Sequence, residues 1–117
     1  MLALVLLIGA SAYAETRVYH DPAIRAEFLR LHHLRGTPKG CQIDHVATLM
    51  LGGADNVENL CLMCGRTMRT KELAERRCDT LHRWLSRHHT WLAKHGCKPT
   101  WGTSPKCSIL GHGDRTP

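Results

Sequence analysis

The sequence predicts a small α+β domain: strand, loop, strand and helix in mid-chain, with amphipathic helices on either side. Three observations predict it. Two short apolar runs, residues 42–49 and 60–63, are separated by a Gly-Gly-Ala-Asp turn at 52–55. After Cys64 and Gly65 the pattern becomes helical, with Met68, Leu73 and Ala74 apolar among Arg66, Arg69, Lys71, Glu72 and Glu75. The length, 117 residues, suffices for one small domain.

The chain opens on an unbroken apolar run from Leu2 to Ile8, too short to span a bilayer. Ala12-Tyr13-Ala14 then places small residues where a signal peptidase reads. Residues 1–14 therefore read as a secretory signal, and the protein as secreted or periplasmic; the alternative is a buried N-terminal strand or helix. Residues 15–96 form the expected domain.

Asp21-Pro22 is a helix start, because Asp accepts from free N–H groups and Pro suits the first helical position. Ile24, Phe28 and Leu31 recur at helical spacing, which predicts an amphipathic helix over residues 22–33. His32 and His33 close it, where imidazolium groups suit the helix dipole. A turn-rich loop at 36–40 leads to the central unit, whose helix is expected over 66–77. Asp79-Thr80 reads as a fresh cap. Leu81, Trp84, Leu85, His88, Trp91 and Leu92 then make one helical stripe, with Gly96 as its terminator. Trp84 and Trp91 belong to that stripe and read as core. The opposite face carries His82, Arg83, Arg87, His89, Lys94 and His95, either a solvated face or a phosphate-contacting one. Residues 97–117 are rich in Gly, Pro, Ser and Thr and read as a loop-like tail.

All 16 Lys and Arg lie beyond residue 14, against 10 acids, for a net charge of +6. That balance suits a polyanion, most simply nucleic acid, while solubility alone is the plainer explanation; no membrane partner is expected. Cys41, Cys61, Cys64, Cys78, Cys97 and Cys107 are even in number, so in an exported chain disulfides are the default. Cys61-x-x-Cys64 also has the spacing of half a zinc knuckle, with Cys41, Cys78 or a histidine to complete it.

Asp44-His45 supplies the reactive groups. A carboxylate can hold Mg²⁺ or Zn²⁺, and a neutral imidazole can take a proton from water. Together these are the parts needed to hydrolyse a phosphodiester. Alternating side chains put the two on opposite faces of a regular strand, so a twist or bulge is needed to join them. Asn59 can bridge backbone groups across the loop, and Lys71 can reach a phosphate oxygen; an Asx-type turn and a solvated helix are the plainer alternatives.

Asp44-His45-Val46, Gly52-Gly53-Ala54-Asp55, Asn59, then Lys71-Glu72 with Glu75 together resemble the small, often exported bacterial HNH endonucleases, whose signature runs DHxxPL, GGAD, N and K-D-x-x-E. Tyr19-His20, Ile24-Arg25 and Glu27-Phe28 resemble that family's lead-in helix, and the likeness covers residues 19–78. It implies a ββα-metal finger. It implies His45 as general base, Asn59 as the residue orienting loop and base, and Asp44 as ligand of one divalent ion, whether Mg²⁺, Mn²⁺ or Zn²⁺. Arg66, Arg69 and Lys71 would contact nucleic acid, DNA in the first place. Departures are Thr48 for the usual Pro, Leu60-Cys61-Leu62-Met63 for Met-Gln-Trp-Gln, and Thr67-Met68 where zinc-containing relatives carry Cys-His. A thioether is a poor ligand for these ions, so Glu72, His88 or His89 would have to substitute. The expectation is a metal-dependent HNH endonuclease. The alternatives are a catalytically degenerate HNH module that only binds nucleic acid, and a disulfide-stapled binding module.

Overall fold

A computed structural model describes residues 20–103. The expected signal segment, and the tail from residue 104 onward with Cys107, lie outside the described residues. Two strands, β1 (Cys41–His45) and β2 (Leu60–Cys64), pair antiparallel with Cys41 opposite Cys64, Asp44 opposite Cys61 and His45 opposite Leu60. Helix α1 (Pro22–Leu31) precedes them, and α2 (Gly65–Ala74), α3 (Cys78–Arg87) and α4 (His89–Lys94) follow. The fold is a small α+β domain.

A two-stranded ribbon is marginal in water and needs a packed face. The ladder is regular, so its two faces differ sharply. Cys61 and Met63 share the face of Asp44, and both are buried against the helices. The core there joins Val46, Leu51, Cys61 and Met63 to Cys78, Leu81, Trp84, Leu85, Leu92 and Cys97. His45 and Ile43 take the opposite face, toward α1.

Asp21 caps α1 by accepting from the Ala23 N–H at 2.9 Å, with Pro22 in the first turn. Phe28 is buried, but Leu31 is exposed, because the helix ends there. β1 stops at His45 rather than running to residue 49. The Val46 N–H goes to the Asn59 carbonyl at 2.7 Å, and the chain turns into a 3-10 turn at Leu49–Leu51. α2 ends at Ala74, earlier than expected. Asp79 is not a cap but lies within the first turn of α3, buried, holding Arg77 at 3.0 Å and Arg83 at 2.9 Å. The single expected stripe is two helices divided at His88, and Gly96, with φ 67°, ends the second.

Disulfides join Cys41 to Cys64 and Cys61 to Cys97, and Cys78 is also disulfide-bonded. Cys61 and Cys64 are not half of a zinc knuckle. Three residues apart on a regular strand, they point to opposite faces and bond to different partners. The described part of the expected tail belongs to the domain. Cys97 is buried, the Ala54 N–H donates to the Thr100 carbonyl at 2.9 Å, and Gly53 forms a β-bridge with Trp101.

Candidate active site

Asn59 holds the loop that joins the strands. It is fully buried, and its side chain uses its whole bonding capacity. Oδ1 accepts from the N–H of Ala47 (2.9 Å) and of Thr100 (3.0 Å). Nδ2 donates to the carbonyls of Ala47 (2.9 Å) and Ala54 (2.8 Å). One side chain thus ties the end of β1, the loop before Asp55 and segment 97–103 together. It positions the site and does not enter it.

Gly52 and Gly53 let the loop close. Gly52 has φ 105°, a left-handed turn that favours glycine. A Cβ on Gly53 would stand 1.7 Å from the Ala47 carbonyl oxygen. This closure sets Asp55 beside His45, whose Nε2–H donates to Asp55 Oδ1 at 2.9 Å. The other Asp55 oxygen, Oδ2, accepts from the Asp21 N–H at 2.6 Å, which fastens the start of α1 to the loop. Burial alone would raise the Asp55 carboxyl, but the Asp21 N–H and the His45 ring outweigh it and hold it below the usual carboxylate range. His20 approaches from the same side, its ring centroid 6.5 Å from that of His45. His20, Arg25, His45 and Asp55 line a cavity of about 190 Å³ with Leu49 and Leu60 among its apolar walls. A phosphate group with water fits that volume.

Asp44 faces the other way. Its Oδ2 lies 2.6 Å from Lys71 Nζ, which also contacts Glu75 Oε2 at 2.8 Å and donates to the His45 carbonyl at 3.0 Å. Lys71 is only 1% exposed. Burial raises the Asp44 and Glu75 carboxyls above their ordinary range, and the ammonium only partly offsets it. Lys71 therefore braces the end of β1 from behind rather than presenting charge to a phosphate. Arg66 and Arg69 are exposed on α2.

Of the expected groups, the structure brings His45 and Asn59 to the same loop and separates Asp44 from His45. The Lys71 ammonium lies against Asp44 Oδ2, so a divalent ion held by that oxygen would have to compete with it. Met68 packs against the core. Glu72 is exposed, His88 stacks on Trp84 with its Nδ1–H on the Trp84 carbonyl, and the His89 Nδ1–H bonds the Ser86 carbonyl. Among the described residues, no group of three or more His, Cys, Asp and Glu side chains could hold a metal ion.

Sequence reasoning missed Asp55 as the partner of His45, and His20 and Arg25 as lining residues. An acid ending a glycine turn ten residues after a histidine was the available signal for Asp55. Compared with known proteins, the chain matches no family model, no curated protein and no solved structure.

Proposed function

We propose that this chain is an exported HNH-type hydrolase of nucleic-acid phosphodiesters, with a ββα unit formed by β1, β2 and α2 and with His45 as its general base. The observation that carries this is the His45–Asp55 pair at a cavity that Arg25 and His20 also line. An ionised carboxylate only accepts, so Asp55 keeps the proton on His45 Nε2. That leaves the Nδ1 lone pair to take a proton from water. The water oxygen forms the new bond to phosphorus, the bond to the leaving sugar oxygen breaks, and that oxygen recovers a proton from solvent. Arg25, whose guanidinium also donates to Thr37 Oγ1, and His20 line the cavity in which the phosphate charge would sit. Asp44 would hold a divalent ion only in competition with the Lys71 ammonium, so no step is routed through a metal ion. Export is supported by the disulfides, which are consistent with an oxidising compartment. No helix among the described residues is long and apolar enough to cross a membrane.

A second reading, a module that binds nucleic acid without cutting it, is favoured by the closure of Asp44 onto Lys71. Nicking of supercoiled plasmid by residues 15–117 separates the two, run with Mg²⁺, Mn²⁺, Zn²⁺ or EDTA beside His45→Ala. The hydrolase loses about 10²-fold or more of its rate in the variant. Full nicking by a folded variant would remove His45 from the role of base. A wild-type protein that retains DNA on a gel but never nicks it is the binding module.

A further inference from the structure

We propose that the groove between α2 and α3 is a second nucleic-acid contact, one that follows the phosphate backbone outside the His45 cavity. The groove has a volume of about 670 Å³, and Arg66, Arg83, Arg87 and His88 line it with no carboxylate among its lining residues. It shares no lining residue with the His45 cavity. Arg66 stands in the first turn of α2, while Arg83 and Arg87 are one turn apart on α3, so guanidinium groups face the groove from both walls. Arg83 is tied to Asp79 at 2.9 Å. Arg66 and Arg87 have no carboxylate within ion-pair distance among the described residues, and both are exposed. These two are the charges available to an incoming anion.

The rest of the groove suits a strand rather than a free ion. Trp84 lines it, its Nε1–H held by Thr70 Oγ1 at 3.0 Å and its face stacked on His88 at 3.9 Å between centroids. Leu73, 60% exposed, forms an apolar lip on α2. An open groove with cations on both walls and apolar surface beside them fits a sugar-phosphate chain whose bases rest on the lip. A small anion would use only part of it. The proposal rests on nucleic acid being the ligand class, but it does not need the chain to cut.

Fluorescence anisotropy tests it, using labelled single-stranded and duplex oligonucleotides and the full chain, oxidised. Arg66→Glu/Arg87→Glu is compared with Arg35→Glu/Lys39→Glu, which changes net charge equally at exposed positions away from the groove. The groove pair weakens binding by roughly 10-fold or more at low salt. It also makes the salt dependence shallower, by about 0.7 per lost contact on single strands. The control pair changes binding far less. Equal weakening by both pairs means net charge alone binds, and the groove assignment fails. So does unchanged binding by the groove pair, or binding to anionic vesicles with none to either oligonucleotide. If the Glu pair does not fold, Arg66→Gln/Arg87→Gln replaces it with the same criteria. Because binding is read rather than nicking, a protein that binds through the groove but never cuts supports this inference while overturning the hydrolase.

Discussion

Lys71 is a buried charge on which two carboxylates depend. A buried ammonium is costly, and here two carboxylates and a backbone carbonyl compensate it. Removing it leaves Asp44 and Glu75 buried without a cation, so Lys71→Met should cost about 3–5 kcal/mol near neutral pH. The sign with pH follows from the carboxyls. Both already titrate above their ordinary range in the folded state, so protonation favours the fold. Stability from such groups is present below their unfolded pKa values and is lost as pH rises through the folded ones. Losing the ammonium raises them further. The gap between Lys71→Met and wild type should therefore shrink as pH falls from neutral into the carboxylate range. Asp55 has the opposite shift and loses its contribution at lower pH, but it does so in both proteins and cancels in the difference. Urea denaturation at a series of pH values measures the gap; a gap that widens with acid would mean Asp44 and Glu75 stay charged without Lys71.

The loop from Val46 to Asn59 gives the ββα unit its shape, and its tightest point is Gly53. Any Cβ there meets the carbonyls of Ala47 and Thr48, both backbone, so relief requires the loop to move. Gly53→Ala should lower stability by about 1–3 kcal/mol, and it should pull Asp55 from His45, so nicking falls more than the folded fraction does. Gly36→Ala, with open space around it and an ordinary φ, is the control and should be nearly neutral on both counts. Thermal melts followed by circular dichroism, paired with nicking rates, read the two effects; a Gly53→Ala protein with wild-type nicking would separate the glycine from the site. At this scale the sequence was informative where chemistry is local. Asp21-Pro22 marked the start of α1, Gly96 the end of α4, and the apolar runs marked both strands. It was less informative where a tertiary partner decides. β1 gives way to the loop because the Asn59 side chain takes both the N–H and the carbonyl of Ala47, and the apolar stripe carries no sign of the break at His88. That break shares a feature with the ends of α1 and α4. Each C-cap is a histidine stacked on an aromatic ring four residues earlier: His32 on Phe28, His88 on Trp84, His95 on Trp91.

Over the whole molecule, segments distant in sequence are held together by covalent links as much as by apolar burial, since Cys61, Cys78 and Cys97 are themselves core residues. The even cysteine count made oxidation legible in the sequence, but pairing depends on tertiary placement: register sets Cys41 opposite Cys64, and the strand face of Cys61 turns it into the core, where Cys97 lies. The opposite placement of Asp44 and His45 had the same cause: strand alternation predicted it, and no bulge intervenes. The two described disulfides do different work. Cys41–Cys64 closes the open end of the ladder, whereas Cys61–Cys97 anchors the segment whose Thr100 and Gly102 backbones bond Ala54, Asn59 and Gly52. With sequence separations of 23 and 36, each should contribute about 3–4 kcal/mol by constraining the unfolded chain. Their local effects should diverge. Replacing Cys61 and Cys97 with Ala frees segment 97–103, removes the outer support of Asn59, and should strip the Ala54 and Gly102 amides of protection against hydrogen exchange. Replacing Cys41 and Cys64 with Ala should destabilise the chain comparably while leaving those amides the more protected pair. Exchange measured by NMR under conditions where both variants are folded distinguishes the cases. Equal loss of protection in both would mean that the site loop opens only with the whole domain, and that the Cys61–Cys97 link adds stability but no local order.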